Sequence, residues 1–215
     1  MMSDQKIRKI FWNDIETGGV NPKTDAILQI AFIIDLEGEE IVSFNSFVKP
    51  FNGAMVSDEA LKVTGIKRED IDRFPDAYSV YHEMRKLLDA HGYKKQKAYR
   101  YVPAGYNNQF DLEFLLEWMT QIDSKFAFWD FLQMTPIDPL PILRALRFAG
   151  ILPIQDTKLS TVCEYLRIPL AAHDALSDIR ATKIVTERLY TKIFKLWTGK
   201  EYRLLGPSPF QKDPA

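Results

Sequence analysis

The sequence predicts an α/β domain built on a mixed sheet of about five strands flanked by helices, and three observations predict it. The first quarter of the chain carries three apolar, β-branched runs separated by turn signals. The remainder alternates helical periodicity with short strand-like runs. No internal repeat, low-complexity tract or interior linker divides them. A chain of 215 residues with 46% hydrophobic and 13% aromatic side chains is large enough for a sizeable core, which excludes intrinsic disorder and fibrous classes.

Each element has its own signal. Residues 7–15 and 27–35 are rich in Ile, Phe, Val and Leu and read as buried strands, with Gly18, Gly19, Asn21 and Pro22 marking the turn between them. Residues 40–49 show partial alternation after the tight Glu37-Gly38-Glu39 connection, so they pair antiparallel with the second strand. Ser57 is the N-cap of a short helix ending near Gly65, and Asp76 or Ser79 opens a longer one over residues 80–91. Residues 99–106 form a fourth strand that runs directly into a helix over residues 110–119. A short run, residues 134–138, is bounded by Pro136 and Pro139 and supplies a fifth strand. Helices follow at residues 140–148, 159–166 and 174–196. The domain is therefore expected over residues 1–198, with residues 199–215, which hold Pro207, Pro209 and Pro214, as a loop-like tail.

The 28 Lys plus Arg balance 29 Asp plus Glu, so a polyanionic partner must be held locally rather than by a global basic field. The lone Cys163 makes neither an internal disulfide nor a thiolate metal cage. No charged and apolar leader opens the chain, and the most apolar stretch, residues 26–34, is interrupted by Gln29 and falls short of the roughly 20 residues a bilayer span needs. The expectation is a cytoplasmic protein without membrane contact. There is no phosphate-binding glycine loop, no nucleophile elbow and no zinc spacing.

The chemistry-bearing residues are acidic. Asp14 and Glu16 close the first strand and, at a spacing of two, project from one face. Partly buried, such a pair calls for a divalent cation, and oxygen ligands favour magnesium or manganese; in solvent it is only a strand end before a turn. Asp111 opens a helix and is either a ligand or a first-turn acid on the helix dipole. His173 and Asp178 stand at the front of the last long helix, where each also has a structural reading. Order and context separate the readings: a strand with two acids, a strand-to-helix junction with one, then a helix with a histidine and an acid five residues on.

That constellation resembles the DnaQ-like, or DEDDh, 3'-to-5' exonucleases of the ribonuclease H-like superfamily. The first motif stands as Phe11-Trp12-Asn13-Asp14-Ile15-Glu16-Thr17-Gly18-Gly19. The second is Asn107-Asn108-Gln109-Phe110-Asp111 with Phe114 and Leu115, and the third runs from His173 to Asp178, followed by Ala181 and Thr182. Residues 57–66 and the Ile137-Asp138 pair are also similar to the family's, so the resemblance covers about residues 7–190. It implies a ribonuclease H-like sheet and two magnesium or manganese ions. Asp14 would bridge the ions, Glu16 and Asp178 would complete one site, Asp111 would act through the second ion or its waters, and His173 would be the general base. Thr17, Gly18, Asn107 and Phe110 fall where the family meets the terminal nucleotide. Two departures stand out: Asn13 replaces a usual apolar residue and so needs a polar partner, and Gly18 replaces a commoner Thr or Ala. Residues 21–31 and 50–54 bear a looser resemblance to the RNA-trimming ribonuclease T branch.

The implied partner is single-stranded nucleic acid with a free 3' end. Family breadth makes DNA the expected substrate, in the manner of a proofreading or repair exonuclease, while the ribonuclease T-like segments make RNA 3'-end trimming the alternative. A homodimer and a polymerase partner both stay open. A catalytically silent binding module would be expected to have lost one of the five motif residues, and none is missing. Phe11, Trp12, Phe51, Tyr106, Phe110, Trp129 and Phe131 are aromatic candidates for base stacking or for core. The run Lys94, Lys95, Lys97 and Arg100 is either a phosphate track or a solvated loop.

Overall fold

A computed structural model of the chain describes residues 9–91, 100–125, 131–171 and 174–199. In chain order the elements are β1 (Lys9–Thr17), β2 (Ile27–Leu36), β3 (Glu39–Phe47), α1 (Asp58–Thr64), a 3-10 helix (Arg68–Arg73), α2 (Ala77–Ala90), β4 (Val102–Ala104), α3 (Asn108–Ile122), α4 (Leu140–Phe148), α5 (Leu159–Leu166) and α6 (Ala175–Thr198). The sheet order is β3-β2-β1-β4, antiparallel throughout except for the parallel β1–β4 pair.

β1 and β2 read as almost continuous apolar runs because both faces of the sheet are covered. On one face Phe11, Ile15, Phe32 and Phe44 pack with Met84 and Leu88 of α2 and Leu112 and Leu115 of α3. On the other, Ile10, Trp12, Ala31 and Ile33 pack with Ala175 and Ile179 of α6. The helix starts follow the capping signals. Ser57 Oγ accepts the Ala60 N–H at 3.0 Å, and Asp76, rather than Ser79, caps α2 by accepting the Ser79 N–H at 3.0 Å. That cap starts α2 at Ala77, three residues before the expected position.

The expected fifth strand is absent among the described residues; four strands are present. The chain does return beside β4, with parallel bridges Tyr101–Leu132 and Ala104–Ile137. Two residues separate the bridge positions on one side, where Pro103 has no N–H to donate, and four separate them on the other. The return segment therefore bulges and makes two isolated bridges instead of a ladder. Trp129 and the lysines at 94, 95 and 97 lie outside the described residues, as do residues 200–215 of the expected tail.

Asn13 finds the polar partner that its position demands. It is fully buried, and its Oδ1 accepts from Asn108 Nδ2 at 3.1 Å. Gly105 makes room for that pair: a Cβ there would stand 2.3 Å from Asn108 Nδ2 and 2.8 Å from the Asn13 carbonyl oxygen. The hydrogen bond ties β1 to the start of α3.

Candidate active site

The site forms where β1 outruns its neighbour. The β1–β4 ladder ends at Trp12 and Ala104, after which β4 turns through Gly105 into α3. The Ile15 N–H, left without a strand partner on that side, donates instead to Asp111 Oδ1 at 3.2 Å. The missing stretch of ladder is thus filled by a carboxylate, which fixes Asp111 beside the strand end. A register slip between Glu16 and Thr17 ends the regular pairing with β2 at the same level.

Asp14 and Glu16 share the β1 face that packs on α6, and one turn into α6 stands Asp178. Carboxylate oxygens of these three residues all lie within 4.8 Å of one another. Asp111 does not join that tight group, but its charge reaches Asp14. Burial and then the charges of Asp111, Asp178, Glu16 and Asp174 hold the Asp14 carboxyl well above its ordinary range. Burial, followed by Asp178 and Asp174, raises Glu16 to about 7. Burial also lifts Asp111, against the pull of the Ile15 N–H. Desolvated like charges this close are unfavourable alone, and a hard divalent cation bound by oxygen removes the conflict. The donor set therefore fits magnesium or manganese.

The flanking residues are placed by other polar interactions. Asn107 takes a left-handed conformation (φ 61°, ψ 39°), and Asp138 receives the N–H groups of Asn107, Asn108 and Leu140 at 3.3, 3.1 and 2.9 Å. One carboxylate so pins the starts of both α3 and α4; the bond to Leu140 is local, but those to Asn107 and Asn108 cross about 30 residues, so the resemblance at Ile137-Asp138 pointed to the residue without giving this role. Asp174 caps α6 through the Ser177 N–H at 3.1 Å and is approached by Gln29 Nε2 at 3.4 Å. It is the second acid missed from sequence; its motif neighbours His173 and Asp178 drew the assignment, and its helix-capping pattern was its only signal. His173 itself lies outside the described residues.

Thr17 donates its hydroxyl to the Gly19 carbonyl at 2.6 Å. Gly18 is buried, its N–H on Ala26 O at 2.8 Å and its carbonyl on the Ser57 N–H at 2.9 Å. A Cβ there would meet Met55 O at 2.6 Å, so close passage of the 55–57 segment accounts for a glycine where the family usually has a larger residue. Of the aromatic candidates, Phe11, Trp12 and Phe131 are core. Phe51 leans on Trp118, and the Tyr106 hydroxyl donates to Thr157 O at 2.6 Å. Phe110, half-buried against Phe114 in the first turn of α3, stands one residue before Asp111.

The sequence model of a family described as Exonuclease matches residues 11–186. Ribonuclease T of Escherichia coli strain K12 is 30% identical over 193 residues, covering 86% of this chain and 83% of that protein. Ribonuclease T of Buchnera aphidicola is 29% identical over 198 residues with the same coverage. Among solved structures, exonuclease I from Methylocaldum szegediense superposes with a TM-score of 0.67 at 25% identity. Escherichia coli exonuclease I in complex with a dT13 oligonucleotide does so with 0.66 at 20%. The chain spans less than half of either, 42% and 44%, and the second likeness is one of fold.

Proposed function

We propose, from the premise that this chain belongs to the exonuclease family of DnaQ-like, ribonuclease H-like enzymes and is a 3'-to-5' exonuclease by class, that it shortens single-stranded nucleic acid using divalent metal ions held at the β1–α6 acid cluster. The observation that carries the reading is the convergence of Asp14, Glu16 and Asp178 within 4.8 Å, with Asp111 beside them.

In this reading Asp14, Glu16 and Asp178 are the ligands, and Asp111 adds negative charge on the Asp14 side. Bound there, magnesium or manganese supplies activation of the attacking water and neutralises charge at the phosphate. His173, five residues before Asp178, takes the water's proton at an imidazole nitrogen; its ordinary pKa of about 6.5 suits that task near neutral pH. Asn107 and Phe110, at the entrance to α3, border the terminal nucleotide. A free 3' end is required and nucleoside 5'-monophosphates leave one at a time.

The sugar has two readings, each with its own support. The breadth of the family favours DNA. Likeness to ribonuclease T over more than four fifths of both chains favours RNA, and so do residues 21–31 and 50–54. Oligonucleotides of one sequence, differing only in the 2'-hydroxyl and labelled at the 5' end, test both points. A ladder of stepwise shorter products supports the exonuclease, whereas internal cuts refute it. A tenfold difference in kcat/KM, about 1.4 kcal/mol, assigns the sugar.

A further inference from the structure

We propose that the groove between α4 and the loop entering α5 binds backbone phosphates of the strand on the 5' side of the bond being cut, with Arg144 and Lys158 as the cations that meet them. This rests on the exonuclease reading above and adds the path of the retained strand to it. The groove has a volume of about 440 Å³ and is lined by Asp178 of the acid cluster and by Asn107, together with Arg144, Lys158 and Ser160. Both cations are exposed, and neither forms an ion pair among the described residues. Asp156, the other acid of the groove, accepts the Lys158 N–H at 3.0 Å, and the Lys158 and Arg147 charges act on it without closing an ion pair among the described residues.

A charge argument gives the direction of the strand. Beyond the bond being cut, the terminal nucleotide of a 3' end carries only the scissile phosphate, which sits at the acid cluster, and then a free hydroxyl. Cations farther out on that side would have no phosphate to meet. The retained strand, by contrast, presents a phosphate at every step. Two exposed cations without an ion pair among the described residues, in a groove that Asp178 also lines, therefore match the retained side. A second cavity, of about 550 Å³, touches the cluster through Asp174 and holds Arg73 and Lys67, but there Arg73 is paired with Asp70 at 3.3 Å. Tyr106 ties the two walls of the first groove together, its hydroxyl donating to Thr157 O at 2.6 Å next to Lys158.

The test compares a dinucleotide, which has no phosphate upstream of the one attacked, with a twelve-nucleotide strand. The wild-type protein and the Arg144→Glu/Lys158→Glu variant are assayed on both. We expect kcat/KM on the long strand to fall at least tenfold more than on the dinucleotide. The slope of log(kcat/KM) against log[salt] should shrink by about 1.4, since each single-strand phosphate that is no longer neutralised removes about 0.7. The Arg144→Gln/Lys158→Gln variant, which removes the charges without reversing them, should show the same change at smaller size and carries the test if charge reversal disturbs folding. An unchanged ratio between the two substrates overturns the proposal, as does loss of the ratio in Lys67→Glu instead. Failure of the wild-type protein to cleave either substrate would count against the exonuclease reading, a result distinct from both.

Discussion

Glu16 is 8% exposed and faces Asp178 and Asp174, and burial with those charges lifts its carboxyl from 4.5 to about 7. A folded-state value above the unfolded one means that the folded protein holds the proton longer. Stability from this group is then fully present below about pH 4.5 and is lost as pH rises through 7. The shift corresponds to about 3.5 kcal/mol at most, at about 1.4 kcal/mol per unit. In chelator, urea unfolding at pH 5 and pH 8 should show this decline in the wild-type protein and a smaller one in Glu16→Gln. Equal declines would remove Glu16 as its source. For His173→Ala the expectation is a loss of about 10² to 10⁴ in kcat, with manganese binding by calorimetry largely retained. Lost binding with an intact rate at saturating metal would make the residue a ligand. Asp14, Glu16, Asp111 and Asp178 were legible as candidates because strand alternation and helix starts place acids predictably. Asp138 stood out only through the family-like Ile137-Asp138 pair, and its bridging role was not legible, since that role is created by two chain segments meeting across about 30 residues.

At the scale of elements, the β1–α3 junction holds the site in register through two buried hydrogen bonds, Asn13 with Asn108 and Ile15 N–H with Asp111. Removing one member of the amide pair strands the other in the core. Asn13→Ala and Asn108→Ala should each cost about 1 to 3 kcal/mol, and the double variant should cost less than their sum. Chemical denaturation of the three proteins checks this; strict additivity would mean that the amide pair contributes nothing. The helices were read closely from sequence because capping residues act locally: Ser57, Asp76 and Gly65 all stand at the ends of the elements they bound. The fifth strand was misread because residues 134–138 have only the length of a short strand, while pairing depends on donors that Pro103 and Pro136 lack.

For the whole molecule, a sheet covered on both faces leaves the end of its inner strand β1 as a rigid platform, and α6 brings the third acid to it. Conflict among these acids should make the metal-free protein the less stable form. Saturating manganese should therefore raise Tm more at pH 8 than at pH 5, where protons already relieve the repulsion. An equal rise at both pH values would place the ion elsewhere. The most direct test of the central claim is the rate at which a 5'-labelled single-stranded oligonucleotide is shortened as free manganese is titrated up from excess chelator, for the wild-type protein and for folded Asp14→Asn. The account predicts no shortening without metal, a saturable rise in the wild-type protein and none in Asp14→Asn at any manganese concentration. Shortening at full rate in excess chelator, or an undiminished rate in Asp14→Asn, would contradict it.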